Sequence, residues 1–177
     1  MRQFLILILV SALFAGCGTS SLTSVSDDRP TFRIAPEKGF QIAFGRGSGW
    51  HGLDTVSVDD AGTVTLHKIS DAGIIRSSFT LVENDLNAVL SLVDECGVMD
   101  FDREYHDETV VDGTQWVLLV EQGEKMKSIY FNNHFPEKIH RFALQFDSIL
   151  DAESKGLETI TVEIDPISDR LWDSIKD

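Results

Sequence analysis

Hydrophobic and polar residues alternate through residues 40–80 with the two-residue period of β-strands. The stretches FQIAF and GIIRSSF each predict one strand. Between them, DTVSVDDAGTVTLHKI predicts a hairpin that turns at DDAG and brings Val56 and Val58 opposite Val64 and Leu66. This part of the chain is therefore predicted to be mostly strand.

Two later stretches follow the 3.6-residue period of an amphipathic helix. In TLVENDLNAVLSLVDECG, Thr80 and Glu83 have the spacing of an N-terminal capping box, and Gly97 is placed to end the helix in the left-handed conformation. Cys96, in the last turn, is interpreted as a small buried side chain. In PEKIHRFALQFDSILDA, Pro136 suits the first turn. The predicted apolar stripes are Leu86, Val89, Leu90 and Val93 in the first helix and Ile139, Phe142, Ala143, Phe146, Ile149 and Leu150 in the second.

A second hairpin is predicted from TQWVLLVEQ and KMKSIYFNN, which flank a turn at Gly123 and Glu124. The run WVLLV is apolar at consecutive positions, so it predicts a central strand covered on both sides or a strand that crosses beneath a helix. ETITVEI alternates again and predicts one more strand. The last stretch, SDRLWDSIKD, predicts a short helix or a tail.

These elements predict the fold class. Strands and helices come in blocks, which indicates an α+β fold with a largely antiparallel β-sheet and two amphipathic helices. A hairpin followed by a helix occurs twice in the predicted order. One α+β domain is predicted over residues 39–177, and the Ser/Thr-rich residues 17–38 are predicted to be a flexible tether.

The charge balance excludes one class of partner. The net charge is −14 and the pI is about 4.6, so the surface would repel nucleic acid, and no nucleic-acid partner is expected. The simplest interpretation of the excess acid is solubility, with cation binding as an alternative.

The first residues, MRQFLILILVSALFAGC, have the pattern of a secretory signal over residues 1–16. The apolar run of about 11 residues is shorter than the roughly 20 needed to span a bilayer. LFAGC resembles the lipobox of bacterial lipoproteins. The resemblance implies that Cys17 is diacylated and becomes the mature N-terminus, with the membrane as a partner through this lipid anchor. Gly18, rather than aspartate, follows Cys17, which by the same resemblance implies the periplasmic face of the outer membrane if the envelope is Gram-negative.

Cysteine usage then limits how the domain is stabilised. The chain has two cysteines, and if Cys17 carries lipid only Cys96 remains. No intrachain disulfide is available in that case, so the domain must be stable through its core.

The stretch FGRGSGWHG is the first candidate for chemistry. A phosphate cradle requires a following lysine and a helix, and a serine nucleophile requires a G-x-S-x-G frame at a strand-to-helix turn; neither is present. The glycines are therefore interpreted as a hairpin connection. At its tip, Trp50 and His51 are candidate contact residues of a binding surface, with a tryptophan folded back over the sheet as the alternative.

His106 and His134 complete the candidate binding surface. No histidine or cysteine spacing typical of zinc occurs, so no metal site and no cofactor are predicted. The acidic connection DFDREYHDETVVDG departs from the EF-hand frame, because Tyr105 stands where glycine is needed. Weak calcium binding by its aspartates remains an alternative to a solvated acidic turn. The aspartates concerned are Asp100, Asp102 and Asp112.

The order of elements over residues 39–152 resembles an uncharacterised family of secreted and lipid-anchored bacterial α+β domains. The resemblance is carried by DDAGTVTL, the helix that runs into CGVMDF, the hairpin DGTQWVLLVEQGEKMKSIYF and the helix from FPEKI. The family has no assigned activity, so no catalytic residues are carried over.

Three functions remain open at this point. The first is a lipid-anchored envelope protein whose domain binds a partner, such as another envelope protein, without catalysis. The second is a hydrolase-like enzyme with a site between the glycine-rich loop and the acidic connection. The third is a periplasmic inhibitor or a chaperone-like module that offers an exposed sheet face or edge.

Overall fold

A computed structural model describes residues 21–29, 31–36, 39–151 and 157–176. These residues have the predicted α+β architecture, with one large, mostly antiparallel sheet and three helices. Cys17 and the predicted signal segment lie outside the described residues. The strands are β1 (Leu22–Val25), β2 (Phe40–Ser48), β3 (Gly52–Asp59), β4 (Thr63–Ser70), β5 (Gly73–Thr80), β6 (Glu104–Asp107), β7 (Thr114–Gln122), β8 (Lys125–Asn132) and β9 (Thr159–Val162), and the helices are α1 (Glu83–Glu95), α2 (Glu137–Asp151) and α3 (Pro166–Ser174).

The strands of the described residues form one sheet in the order β1-β6-β8-β7-β2-β3-β4-β5-β9. Neighbouring strands are antiparallel except β6 and β8, which run parallel. The predicted hairpin has the predicted register, since Val56 pairs with Leu66 and Val58 pairs with Val64. The second predicted hairpin is formed by β7 and β8 and is also confirmed.

The glycine-rich stretch FGRGSGWHG connects β2 to β3, as the sequence predicts. Pairing of the two strands continues as far as Ser48 and Gly52. A Cβ atom on Gly47 would lie 1.9 Å from the carbonyl oxygen of Gly52, so only glycine allows the two backbones to approach this closely. Gly52 also has a φ of 77°. These glycines therefore meet a steric requirement of the hairpin.

Helices α1 and α2 cover one face of the sheet, which we call the two-helix face. The buried residues of α2 follow the predicted stripe, and Phe142 and Phe146 pack edge-on against Phe44 of β2. Such aromatic contacts add to the free energy gained by burying apolar surface. The main side chains of this core are Phe40, Ile42, Phe44, Val56, Val58, Val89, Val93, Leu118, Val120, Ile129, Phe131, Ile139, Phe142 and Phe146.

The predicted capping box of α1 is wrong. Helix α1 begins at Glu83, its N-cap residue is Val82, and no side chain caps it. Thr80 is the last residue of β5, where it pairs with Thr63, so its backbone belongs to the sheet. The prediction for the other end of the helix is confirmed, because Gly97 has a φ of 62°.

Helix α3 covers the opposite face, which we call the one-helix face. Leu171 of α3 is fully buried in a second, smaller core. A Cβ atom on Gly45 of β2 would lie 2.7 Å from Cδ1 of Leu171, so this glycine makes room for the helix. The other buried members of the second core are Ala43, Leu53, Val117 and Leu119.

Strand β7 is buried on both faces, as the run WVLLV predicts. Leu118 and Val120 pack into the core beneath α1 and α2, whereas Val117 and Leu119 pack against α3. Because successive strand residues point to opposite faces, a strand covered on both sides must be apolar at every position.

The finer fold prediction, two helices in a hairpin–helix unit that occurs twice, is not confirmed. Helix α1 follows a meander of four strands, β2 to β5, whereas α2 follows the two-strand hairpin β7–β8. In addition, SDRLWDSIKD contributes to a third helix that packs on the sheet. The isolated stretch is too short to indicate which of its apolar residues are buried.

The described part of residues 17–38, which the sequence predicts to be a flexible tether, contacts the sheet instead. Leu22–Val25 forms β1 and pairs with β6. The carboxylate of Asp27 lies 2.9 Å from Nζ of Lys127 on β8, and both side chains are almost fully buried. Ile34 is buried in the larger core. The Ser/Thr-rich sequence does not predict this strand. An edge strand is held mainly by backbone hydrogen bonds, so it needs no apolar alternation that could be recognised.

We expect Leu171→Ala to lower the free energy of unfolding by about 2–4 kcal/mol, because the truncation leaves a cavity between α3 and the sheet. Leu144→Ala on α2 removes the same atoms from a side chain that is 73 % exposed, and we expect it to change stability by less than about 0.5 kcal/mol. Urea unfolding followed by circular dichroism measures both. Equal losses in the two variants would contradict a packed second core.

Candidate functional site

A cleft of about 520 Å³ opens on the two-helix face, between the C-terminal end of α2 and strands β3 to β5. Alternate side chains of these strands point into it, which follows from the two-residue period of the sheet. Val56, Leu66, Ile75 and Leu150 form its apolar lining. The polar and charged residues that line it are Arg46, Asp54, Lys68, Ser77, Asp147, Asp151 and Thr159. Thr55 and His67 also border it, but their side chains point to the one-helix face, where they contact Asp165.

Charged side chains of both signs surround this cleft. The guanidinium of Arg46 donates two hydrogen bonds of 2.7 Å to the carboxylate of Asp147 on α2, and it stacks 5.0 Å from the ring centroid of Phe44. Both contacts fix its direction. Lys68 on β4 is exposed, and Asp54 lines the cleft from the neighbouring strand β3. The cleft therefore offers apolar surface for the body of a molecule and ionic groups for its polar end.

A buried polar cluster lies beneath the start of α3. Oδ1 of Asp165 lies 3.0 Å from Nδ1 of His67, and Oδ2 accepts a 2.7 Å hydrogen bond from the hydroxyl of Thr55. Asp165 is also the N-cap residue of α3 and accepts from two backbone N–H groups of its first turn. Burial lowers the pKa of His67 below its ordinary value; the charge of Asp165 opposes this, and Arg76 adds to it.

The geometry of this cluster suits structure rather than nucleophilic chemistry. The Thr55 hydroxyl donates to Asp165, so His67 does not act on that proton. The cluster joins α3 to β3 and β4 through hydrogen bonds shielded from water. The residue pattern does not predict this cluster, although it contains one signal: Asp165 followed by Pro166 has the order of an N-cap residue and a first-turn proline.

The candidate contact residues Trp50 and His51 lie in the turn between β2 and β3. Trp50 is 81 % exposed, so it does not fold back over the sheet. Nδ1 of His51 lies 3.1 Å from Oγ of Ser48, and the same oxygen accepts from the backbone N–H of His51. His51 therefore stabilises its own turn, whereas the indole of Trp50 is presented to solvent.

The other two candidate residues lie on opposite faces of the sheet, His106 within β6 and His134 just after β8. His106 lies 2.9 Å from a carboxylate oxygen of Glu104, and its ring packs edge-on against Tyr130, which also contacts α3. His134 packs edge-on against Tyr105, which stacks on the core beneath α1 and α2. His106 therefore belongs to the one-helix face and His134 to the two-helix face.

All four candidate residues lie at one end of the sheet, which we call the loop end: there β2, β6 and β8 end and β1, β3 and β7 begin. They do not form one site. Strands β7 and β8 separate β2 from β6, so the Ser48–His51 pair is roughly 14 Å from the Glu104–His106 pair at ~4.8 Å per strand. The cavity beside His51 is lined by residues of β2, β3 and β4 and of the turn after β4.

The acidic connection contains more structure than the sequence predicts. A 3₁₀ turn at Val98–Asp100 leads into it, and it contains the strand β6. In the part of the chain that the structure describes, no group of three histidine, cysteine or carboxylate side chains is arranged to hold a metal ion. The calcium alternative that involves Asp100, Asp102 and Asp112 therefore has no cluster to support it there.

Cys96 is buried at the end of α1, and burial raises the pKa of its thiol. The side chain is consequently a protonated packing group at neutral pH. None of the helices in the described ranges is both long enough and apolar enough to cross a bilayer.

Comparison with known proteins adds no assignment. No protein-family model matches the chain, and no curated protein is significantly similar to it.

We expect the free energy of unfolding to fall as the pH drops below about 6.5, the ordinary pKa of histidine, because the unfolded chain binds a proton that buried His67 resists. The slope approaches at most about 1.4 kcal/mol per pH unit, the value for one proton. His67→Gln keeps an N–H donor for Asp165 and should flatten this slope between pH 7 and 5. His140→Gln, at an exposed position, should not. A slope unchanged in His67→Gln would contradict the assignment.

Proposed function

We propose that this chain is a bacterial envelope lipoprotein, anchored through acylated Cys17, whose α+β domain binds a ligand or an envelope partner without catalysing a reaction. The anchor is supported by the signal pattern of residues 1–16 and by the lipobox-like LFAGC. Gly18 favours the periplasmic face of the outer membrane in a Gram-negative envelope. Strand β1 begins five residues after Cys17, so the folded part follows the anchor closely.

The observation that carries the binding role is the cleft between α2 and strands β3 to β5. Its volume of about 520 Å³ falls in the range of small-molecule sites. The apolar floor suits an apolar body. The rim carries charges of both signs, because Arg46 is paired with Asp147, and Lys68, Asp54 and Asp151 also line the cleft. An amphipathic molecule with a polar end that can interact with charged side chains is the ligand chemistry that this combination favours.

Polar clusters elsewhere support a non-catalytic role because their groups are used in structural contacts. Asp165 caps α3 and binds Thr55 and His67, while His51 stabilises a turn. The alternative of a hydrolase between the glycine-rich loop and the acidic connection requires His51 and His106 to act together. Their separation by two strands weighs against that alternative.

The alternative of an inhibitor or chaperone-like module is favoured by one feature, the outer strand β9. Ile160 and Ile164 at this edge are 58 % and 66 % exposed. An open edge with apolar side chains is a template for strand addition by an extended peptide. Filling the cleft distinguishes the two binding roles. It would prevent a ligand from binding in the cleft, whereas a peptide could still pair with the edge of β9.

We expect Cys17→Ser to abolish incorporation of labelled palmitate when the full chain is expressed in a bacterium, and to release the protein from the membrane fraction, because Cys17 is the proposed acylation site. Cys96→Ala removes the other cysteine, which is buried, and should leave labelling intact. Palmitate autoradiography and membrane fractionation measure both. Labelling that persists in Cys17→Ser, or never occurs, would overturn the anchor.

Filling the cleft should abolish binding in it. Ser77 and Ser78 are neighbours on β5, but Ser77 lines the cleft whereas Ser78 is exposed on the opposite face. With anilinonaphthalene sulfonate as an amphipathic anionic probe, we expect Ser77→Phe to weaken binding at least about fivefold, because the ring occupies the probe's apolar site. Ser78→Phe serves as the matched control and should bind as the wild type does. Fluorescence titration provides the measurement, and equal affinities would count against the cleft.

A further inference from the structure

The start of the described chain is fixed to the sheet. Strand β1 pairs with β6 over four residues, and its carbonyl at Val25 accepts a 2.7 Å hydrogen bond from the N–H of Arg103. Just beyond, the carboxylate of Asp27 contacts Arg29 and buried Lys127. These contacts hold the pKa of Asp27 well below its usual range, so the ion pairs persist across the physiological pH range.

This attachment limits how far the domain can stand from a lipid on Cys17. Leu22 is the first residue of β1 and lies at the loop end of the sheet, paired with Asp107. Five peptide steps separate it from Cys17, and they can span at most about 17 Å when fully extended. An acylated Cys17 would therefore keep the loop end close to the bilayer surface, whereas the opposite end lies a strand length further away.

Large apolar side chains are exposed at this same end. Trp50 in the β2–β3 turn is 81 % exposed, and Val111, in the loop before β7, is fully exposed. Leu22 and Val110 are about half exposed. The register places all four along the loop end, since Ser48 of β2 pairs with Thr114 of β7 and Asn133 bonds to Thr114 beside β6. They are spread along this end, because the ends of β1 and β2 are roughly 19 Å apart at ~4.8 Å per strand. Tryptophan in particular prefers the boundary between lipid and water.

We infer that the loop end of the sheet rests on the lipid surface that holds Cys17, with Trp50, Val111, Val110 and Leu22 inserted at the level of the head groups. This inference rests on the proposed lipid anchor. The carboxylates of Asp107, Glu108 and Asp112 also lie at this end and would be repelled by anionic lipids. The surface that fits is therefore a zwitterionic phospholipid, and the contact depends on apolar insertion rather than on charge.

The orientation has a consequence for the cleft. Arg46 and Asp54, which line the cleft, also line a smaller cavity of about 380 Å³ beside His51. The cleft therefore adjoins the cavity at the loop end. With the loop end on the membrane, a ligand of the amphipathic kind proposed above would reach the cleft from the lipid side.

Fluorescence quenching by lipids tests the orientation. The full chain is expressed in a bacterium, purified from membranes, checked by mass spectrometry for acyl chains on Cys17, and reconstituted into phosphatidylcholine vesicles that contain brominated lipid. Of the three tryptophans, Trp50 is exposed, while Trp116 and Trp172 pack against the two cores. We expect brominated lipid to remove roughly half or more of the Trp50 emission, since the indole would lie at the interface. Trp50→Phe should abolish this quenching.

A matched pair of labelled positions gives the direction. In a Cys96→Ala background, a fluorescent dye is attached to Val111→Cys at the loop end or to Glu124→Cys in the β7–β8 turn. Nine residues of β7 separate these positions, which is roughly 27 Å along the strand. Spin-labelled lipid should quench the dye at 111 at least about threefold more than the dye at 124.

The outcomes are distinguishable. Quenching confined to Trp50 and position 111 supports the inference. Acylated protein in which positions 111 and 124 are quenched equally, or not at all, overturns the inference and leaves the lipid anchor in place. A dye at 111 that is shielded from water but not quenched by lipid identifies a protein contact at the loop end, which also overturns it. Protein without acyl mass on Cys17 overturns the anchor and this inference together.

Discussion

The central strands of the sheet are buried on both faces, and the rest of the structure depends on this constraint. An apolar strand such as β7 cannot leave either face in water, so helices must cover both. Helices α1 and α2 cover one side with the larger core. The other side is covered by α3 alone, and the helix lies so close to β2 that Gly45 has no space for a Cβ atom beside Leu171. The buried Thr55–His67–Asp165 cluster holds the start of α3 above the sheet, so the second core and the polar cluster act together.

Coverage by helices is uneven, and this produces the candidate binding site. Helix α2 ends beside strands β3 to β5, where a cleft remains between the helix and the sheet. Apolar residues of the strands form its floor, and the bidentate pair of Arg46 and Asp147 holds the rim. The features that an amphipathic ligand would contact therefore arise from the same strand alternation that builds the core. No separate loop insertion is needed to create them.

The N-terminal segment connects the fold to the proposed anchor. Pairing of β1 with β6 and the buried contact of Asp27 with Lys127 make the segment part of the sheet. A tether of some twenty residues would let a domain take any orientation, whereas about five residues leave little freedom. Under the proposed acylation of Cys17, the position of the first strand would set which end of the sheet meets the membrane. The exposed side chains of Trp50 and Val111 lie at that end and are the lipid contacts that we propose.

The sequence by itself determined the local elements: the β3–β4 register, the β7–β8 hairpin, the apolar stripe of α2 and the glycine-dependent β2–β3 turn all follow from residue period and backbone sterics. It did not reveal β1, because Ser/Thr-rich edge strands are held by backbone hydrogen bonds that leave no apolar pattern. The sequence pattern also assigned Thr80 to a helix cap, because local spacing does not show that Thr80 pairs with Thr63 in the sheet. The role of α3, the His67–Asp165 pair and the cleft were decided by tertiary structure alone. Each depends on contacts between residues that are more than eighty positions apart in the chain. These residues meet only when the helices pack on the sheet.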